Sequence, residues 1–220
     1  MRYGRMALIA VLAFRAVAAA AAAPAVPAGE AAGAADAPGA VEAVWIERKL
    51  SFVYSARTAW YSCDGLAIKV EQILAAIGAR PGYTVQPRAC FNPRRGAEWT
   101  PMLDITAASA VAATPATLDE AGRQAEQQAI AARAGGAKGP VEATTAPFRA
   151  VTRRIDLRDS PRGLLQPGDC ELVQQLRDQV FKPLGAKVVD DHMACTYHRL
   201  DNNIIRLSIE VLVPEETPAG

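Results

Sequence analysis

Four cysteines divide this chain into two similar stretches. Cys63 is followed fifteen residues on by Gly78, and Cys170 at the same distance by Gly185. Residues Cys63 to Arg80 align without a gap on Cys170 to Lys187, placing Leu66 on Val173, Ile73 on Val180, Leu74 on Phe181 and Ile77 on Leu184. Cys90 lies 27 residues after Cys63, and Cys195 lies 25 after Cys170, so the second stretch closes a similar loop two residues shorter. An internal repeat of this kind fixes the fold before anything else does.

Each repeat reads as β-α-β-β. Leu66, Val70, Ile73, Leu74 and Ile77 fall at helical spacing, as do Val173, Leu176, Val180 and Leu184, so each helix buries one side. Asp64 and Glu171 sit in the first turns, where a carboxylate favours the positive end of the helix dipole. Gly78 and Gly185 supply left-handed caps, and Pro183 distorts the last turn of the second helix. Extended segments precede the helices at 52–61 and 148–157 and follow them at 83–90 and 187–197. In a last strand, Ile205, Leu207, Ile209, Val211 and Val213 alternate with polar residues. Leu103, Ile105 and Ala107 hold the matching places in the first repeat, and Asp201-Asn202-Asn203 makes a hairpin turn in the second.

The expected fold is α+β, with helices on one face of an antiparallel or mixed sheet. A forward strand, a returning helix and another forward strand bring the end of that strand to the start of the helix. Cys63 would then meet Cys90, and Cys170 would meet Cys195, giving one disulfide per repeat. Four cysteines allow three pairings, and the sequence leaves the other two open.

Ser62-Cys63-Asp64-Gly65-Leu66 with Val70-Glu71 resembles the helix start of ferredoxin-like heavy-metal-binding domains. Leu66 stands where those domains carry their second cysteine, so the resemblance implies local topology without the two-thiolate site. The paired cysteine-helix-Gly-Ala pattern is also similar to uncharacterised exported proteins of Gram-negative bacteria that have no assigned activity.

The chain opens with Arg2 and Arg5, an apolar stretch from Met6 to Phe14 and an alanine run to Ala23. That order is expected of a secretory signal peptide, residues 1–23, with cleavage between Ala23 and Ala28. Arg15 leaves the apolar stretch short of the ~20 residues a membrane span needs, so no span is expected in the mature chain. The expected location is periplasmic or secreted. Of the 46 alanines, 19 lie in residues 1–44, and residues 24–44 read as a disordered Ala/Pro/Gly linker. The first repeat is then 45–112, a linker with a weak helix over 118–134 spans 113–147, the second repeat is 148–213, and 214–220 is a flexible tail. Within that helix Ala121, Ala125, Ala129 and Ala132 form the inner stripe, with Asp119, Glu120, Arg123, Glu126 and Arg133 on a solvated face.

Removing the leader leaves 21 basic against 23 acidic residues, which argues against a nucleic-acid partner. Arg153, Arg154, Arg158 and Arg162 alternate with Asp156 and Asp159 and read as a mixed-charge strand face. Cys63 and Cys170 begin helices, where thiolates are stabilised, yet neither has a Cys-x-x-Cys partner. His192, Cys195 and His198 form a His-x-x-Cys-x-x-His run, but on a strand the two histidines lie ~20 Å apart with Cys195 pointing away. No metal site, cofactor or catalytic residue is expected; the serines lack a Gly-x-Ser-x-Gly context. Trp45 and Trp60 read as core or sheet-edge groups, and Trp99, with Arg94 and Arg95, as the candidate contact loop.

The leading expectation is a non-catalytic binding or envelope-associated module for a protein, peptide or envelope polymer. The alternative is thiol-redox or metal chemistry using Cys63 or Cys195. A hydrolase built on Asp104, Asp156 and Glu210 comes third.

Overall fold

The computed structural model describes residues 39–57, 59–89, 100–135, 146–159, 163–196 and 203–215. The fold is α+β, with six strands: β1 (Ala40–Val53), β2 (Thr84–Ala89), β3 (Met102–Ala112), β4 (Phe148–Arg158), β5 (Lys187–Asp191) and β6 (Arg206–Pro214). Among the described residues three α-helices accompany them: α1 (Cys63–Ala76), α2 (Pro115–Ala134) and α3 (Cys170–Leu176). All pairings between these strands are antiparallel, the sheet runs β2-β3-β1-β4-β6-β5, and an isolated parallel bridge joins Asp159 to Leu165. Ala110 of β3 also pairs with Leu212 of β6, so the sheet touches itself at one end.

The helical spacing and the strand alternation converge on one core. Leu66, Val70, Ile73, Leu74 and Ile77 of α1 are buried with Val173, Leu176, Val180, Phe181 and Leu184 against Phe52, Leu103, Ile105, Leu157, Leu207 and Ile209. Ser62 caps α1 by accepting from the Gly65 N–H at 3.1 Å. Gly78 and Gly185 turn the chain at φ of 81° and 79°, a region that favours glycine. Continuing α3, residues Arg177–Phe181 form a π-helical turn closed by Lys182 N–H on the Arg177 carbonyl. Pro183 lacks the N–H that would carry the α ladder onward, which accounts for the distortion.

Several boundaries differ from expectation. β1 starts at Ala40, inside the stretch that composition assigned to a lead-in, because Val44 and Ile46 are buried against Ala121 of α2. It also ends at Val53, before the extended reading of 52–61 runs out. α2 starts at Pro115 behind a Thr114/Thr117 capping box and holds the protein by a thin contact in which Ala121 is buried. Glu120, read as solvated, ion-pairs with Arg48 on β1.

β1 and β4 pair only over Ala40–Ala43 and Phe148–Val151, so each runs past the start of the other. Both therefore have an inner edge without a described strand beside it. Glutamines meet that edge of β1 at Glu47 and Val53, and the chain just beyond it at Ser55. Gln124 of α2 accepts from the Glu47 N–H at 2.9 Å and donates to its carbonyl at 3.1 Å. Gln179 does the same to Val53 at 3.0 and 3.1 Å, and Gln175 to Ser55 at 2.8 and 3.0 Å. A carboxamide here supplies the donor and acceptor that a neighbouring strand would supply. Replacing Gln179 by Ala strands a half-buried N–H and carbonyl, and should lower unfolding stability in urea by about 1–3 kcal/mol. Gln175→Ala, at an exposed pair that water can satisfy, should cost less.

The outer edges are protected differently. β2 carries Pro87, which has no N–H to offer, beside a bulge. β5 is five residues long and also bulged.

Candidate functional site

Two places concentrate polar chemistry. The first lies where α1 meets the start of α3. Asp169, immediately before Cys170, is only 5 % exposed. Its Oδ2 accepts from Lys69 Nζ at 3.0 Å and from the Gln166 N–H at 2.8 Å, and its Oδ1 accepts from the Tyr61 hydroxyl. Lys69 also donates to the Leu164 carbonyl at 2.8 Å. Glu171, 3 % exposed, accepts from the Arg57 N–H at 3.0 Å. Tyr54 donates to the Ala59 carbonyl at 2.8 Å and meets Tyr61 edge-on, ring centres 5.4 Å apart.

Every group named in this cluster has a hydrogen-bond partner, which is how a low-dielectric site keeps charges stable. Burial, above all, pushes both phenols upward; for Tyr54 the Glu171 and Asp169 charges add to it, and for Tyr61 the hydrogen bond to Asp169 does. A raised folded value means the neutral phenols stabilise the fold fully below about pH 10 and lose that contribution as pH rises above it. Alkaline titration followed by phenolate absorbance should therefore show two tyrosines staying protonated until the protein unfolds. Smooth titration of all tyrosines in the folded protein would contradict this. The cluster acts as a clamp tying the residue 61–69 stretch to the start of α3.

Of the cysteines, Cys170 and Cys195 form a disulfide with Cα atoms 5.6 Å apart. Cys63 is also disulfide-bonded, while Cys90, its expected partner, lies outside the described residues, as do Arg94, Arg95, Trp99 and His198. His192 faces Asp190 at 3.0 Å. Among the described residues no group of three or more His, Cys, Asp and Glu could hold a metal ion. Asp104, Asp156 and Glu210 do not converge: they pair with Arg88 at 3.6 Å, Arg154 at 3.4 Å and Lys187 at 3.6 Å respectively. Trp45 stacks on Phe148 with ring centres 5.0 Å apart, under the Arg80 guanidinium, whereas Trp60 is 61 % exposed.

The second place is the inner edge of β4. The Glu215 N–H bonds the Arg149 carbonyl, which fixes the odd residues of β4 as those bonded to β6. Thr152, Arg154, Asp156 and Arg158 therefore turn their N–H and carbonyl groups toward the side beyond the start of β1, where no described strand lies. Gly39, at φ of 101°, breaks extended backbone just before Ala40. Thr152, Arg153, Arg154, Asp156 and Arg158 are all exposed. The Ser208 hydroxyl, first, and the Arg154 guanidinium hold the Asp156 carboxyl below the usual carboxylate range.

Sequence reasoning identified the arginine run but not the edge it lies on. The glutamine pairings span 77 to 126 residues and leave no local pattern. Among the described residues no helix is long and apolar enough to cross a membrane. Comparisons of the chain with protein-family models, curated proteins and solved structures find no match.

Proposed function

We propose that the chain is an exported, non-catalytic binding module, built by duplication of a β-α-β-β unit, that recognises an extended protein segment at the inner edge of β4. The observation that carries the binding reading is unequal edge protection. Proline and bulges guard the two outer edges and glutamines meet the β1 edge at Glu47 and Val53, whereas β4 presents four outward N–H and carbonyl sets with no described strand beside them. An unguarded edge invites strand addition.

The duplication reading is supported by which residues meet. The strand order is β1-β3-β2 in one half and β4-β6-β5 in the other. The alignment that sets Cys63 on Cys170 sets Glu42 on Arg149, and these two lie opposite each other between β1 and β4. The alignment that sets Leu103 on Ile205 sets Ala110 on Leu212, the pair that joins β3 to β6. Ile77, Gly78 and Ala79 line one small cleft with their aligned partners Leu184, Gly185 and Ala186. Export is supported by the leader-like start and by cysteines held in disulfides. No described cysteine is free, which removes the simplest support for thiol or metal handling by Cys63 or Cys195.

Selection of a random-peptide display library on the oxidised protein tests the binding reading. Binders should be lost on Arg154→Pro, which deletes an outward N–H without touching the β6 ladder. Binders indifferent to that change, or turnover on a broad hydrolase panel abolished by one substitution, would overturn it.

A further inference from the structure

We infer that the β4 edge takes an acidic, extended peptide as an added strand antiparallel to β4, which rests on the binding reading above and gives its ligand a chemical class. Thr152 to Arg158 offers seven residues, or about 23 Å, of edge. A strand laid there continues the β1–β4 ladder of Ala40–Ala43 in the same direction.

Along the edge two arginines flank one carboxylate, Asp156. Arg154 and Arg158 lie on the strand, Arg206 stands opposite Arg158, and Lys187 stands opposite Glu210 across β5 and β6. The carboxylates nearby are engaged: Asp156 by the Ser208 hydroxyl, Arg154 and, at 3.8 Å, Arg158, Asp159 by the Ile205 N–H at 3.3 Å, and Glu210 by Lys187 at 3.6 Å. In an added strand, side chains opposite one another sit ~5 Å apart, so ligand carboxylates facing Arg154 and Arg158 would meet guanidinium groups. Between them, ligand residues facing Ile155 and Leu157 share the helix side of the sheet, where Ile155 is half-buried and Leu157 buried. The ligand pattern is therefore acidic, apolar, polar, apolar, acidic. A basic strand would be repelled by the same arginines.

The test uses the library binders against the full chain, its Arg154→Glu/Arg158→Glu variant and its Arg154→Pro variant, with thermal melts showing each variant folded. Binders rich in carboxylates four residues apart should lose about tenfold or more in affinity on the double charge reversal and in high salt. N-methylating alternate residues of a synthetic binder should abolish binding in one phase of the alternation only, a readout independent of any protein variant. Binders lost on Arg154→Pro but without acidic preference would overturn the ligand class and leave the binding reading standing. An edge already occupied by a second copy, seen as a concentration-dependent mass that Arg154→Pro reduces to monomer, would overturn both. Binders insensitive to every β4 change would also overturn both.

Discussion

Asp169→Ala should be among the most damaging single substitutions in the protein, costing about 3–5 kcal/mol of unfolding free energy. It would strand the Lys69 ammonium, 19 % exposed, with the Leu164 carbonyl as its remaining partner. It would also strip the Tyr61 hydroxyl and the Gln166 N–H of their acceptor. The cost comes from the charge and donors left behind, so the double variant Lys69→Met/Asp169→Ala should be clearly more stable than the summed losses of Lys69→Met and Asp169→Ala. Urea denaturation of the four proteins measures the coupling. Additive losses would mean that the ion pair does not hold α1 to the start of α3.

Removing the Cys170–Cys195 disulfide by Cys170→Ala/Cys195→Ala should have a comparable effect. The bond closes a loop of sequence separation 25, worth ~3.5 kcal/mol in the chain-entropy account, or a fall in melting temperature of about 10 °C for a unit of this size. Calorimetry of the oxidised, reduced and substituted forms checks it. Reduction of the wild type should lower stability further, because Cys63 is disulfide-bonded as well. A reduced protein that melts with the oxidised one would remove the disulfides from any structural role. Peptide mapping without reduction, on the same samples, identifies the partner of Cys63.

How far the sequence revealed the fold depended on whether the signal was local. The helices were legible because Leu66, Val70, Ile73 and Leu74 repeat within one turn of each other, and the Cys170–Cys195 bond because the β-α-β path brings its ends together. The start of β1 was not. Ala40 to Ala43 look like the alanine-rich stretch before them, and their place in the sheet depends on β3 and β4, over a hundred residues on in the case of β4. Pro183 marked the π-helical turn in advance, since its missing N–H acts on its own helix.

The candidate site was legible only in its side chains. Arg153, Arg154, Arg158 and Asp156 read as a mixed-charge strand face, and they are exposed on β4. Whether that strand had a neighbour on its inner side depended on where β1 began, the boundary that composition obscured. Gln124, Gln175 and Gln179 are unremarkable helix residues until β1 is placed beside them. Asp169 aligns with Ser62 as the residue before the helix, but its buried pairing with Lys69 needs α1 and α3 brought together.

The measurement that reaches the central claim most directly is amide hydrogen exchange along β4 in the free, oxidised protein, resolved residue by residue. An open edge requires alternation: Val151, Arg153, Ile155 and Leu157, bonded to β6, should be protected, while Thr152, Arg154, Asp156 and Arg158 should exchange rapidly. Uniform protection through Thr152 to Arg158 would mean that something already pairs with this edge, and the docking site would be lost with it.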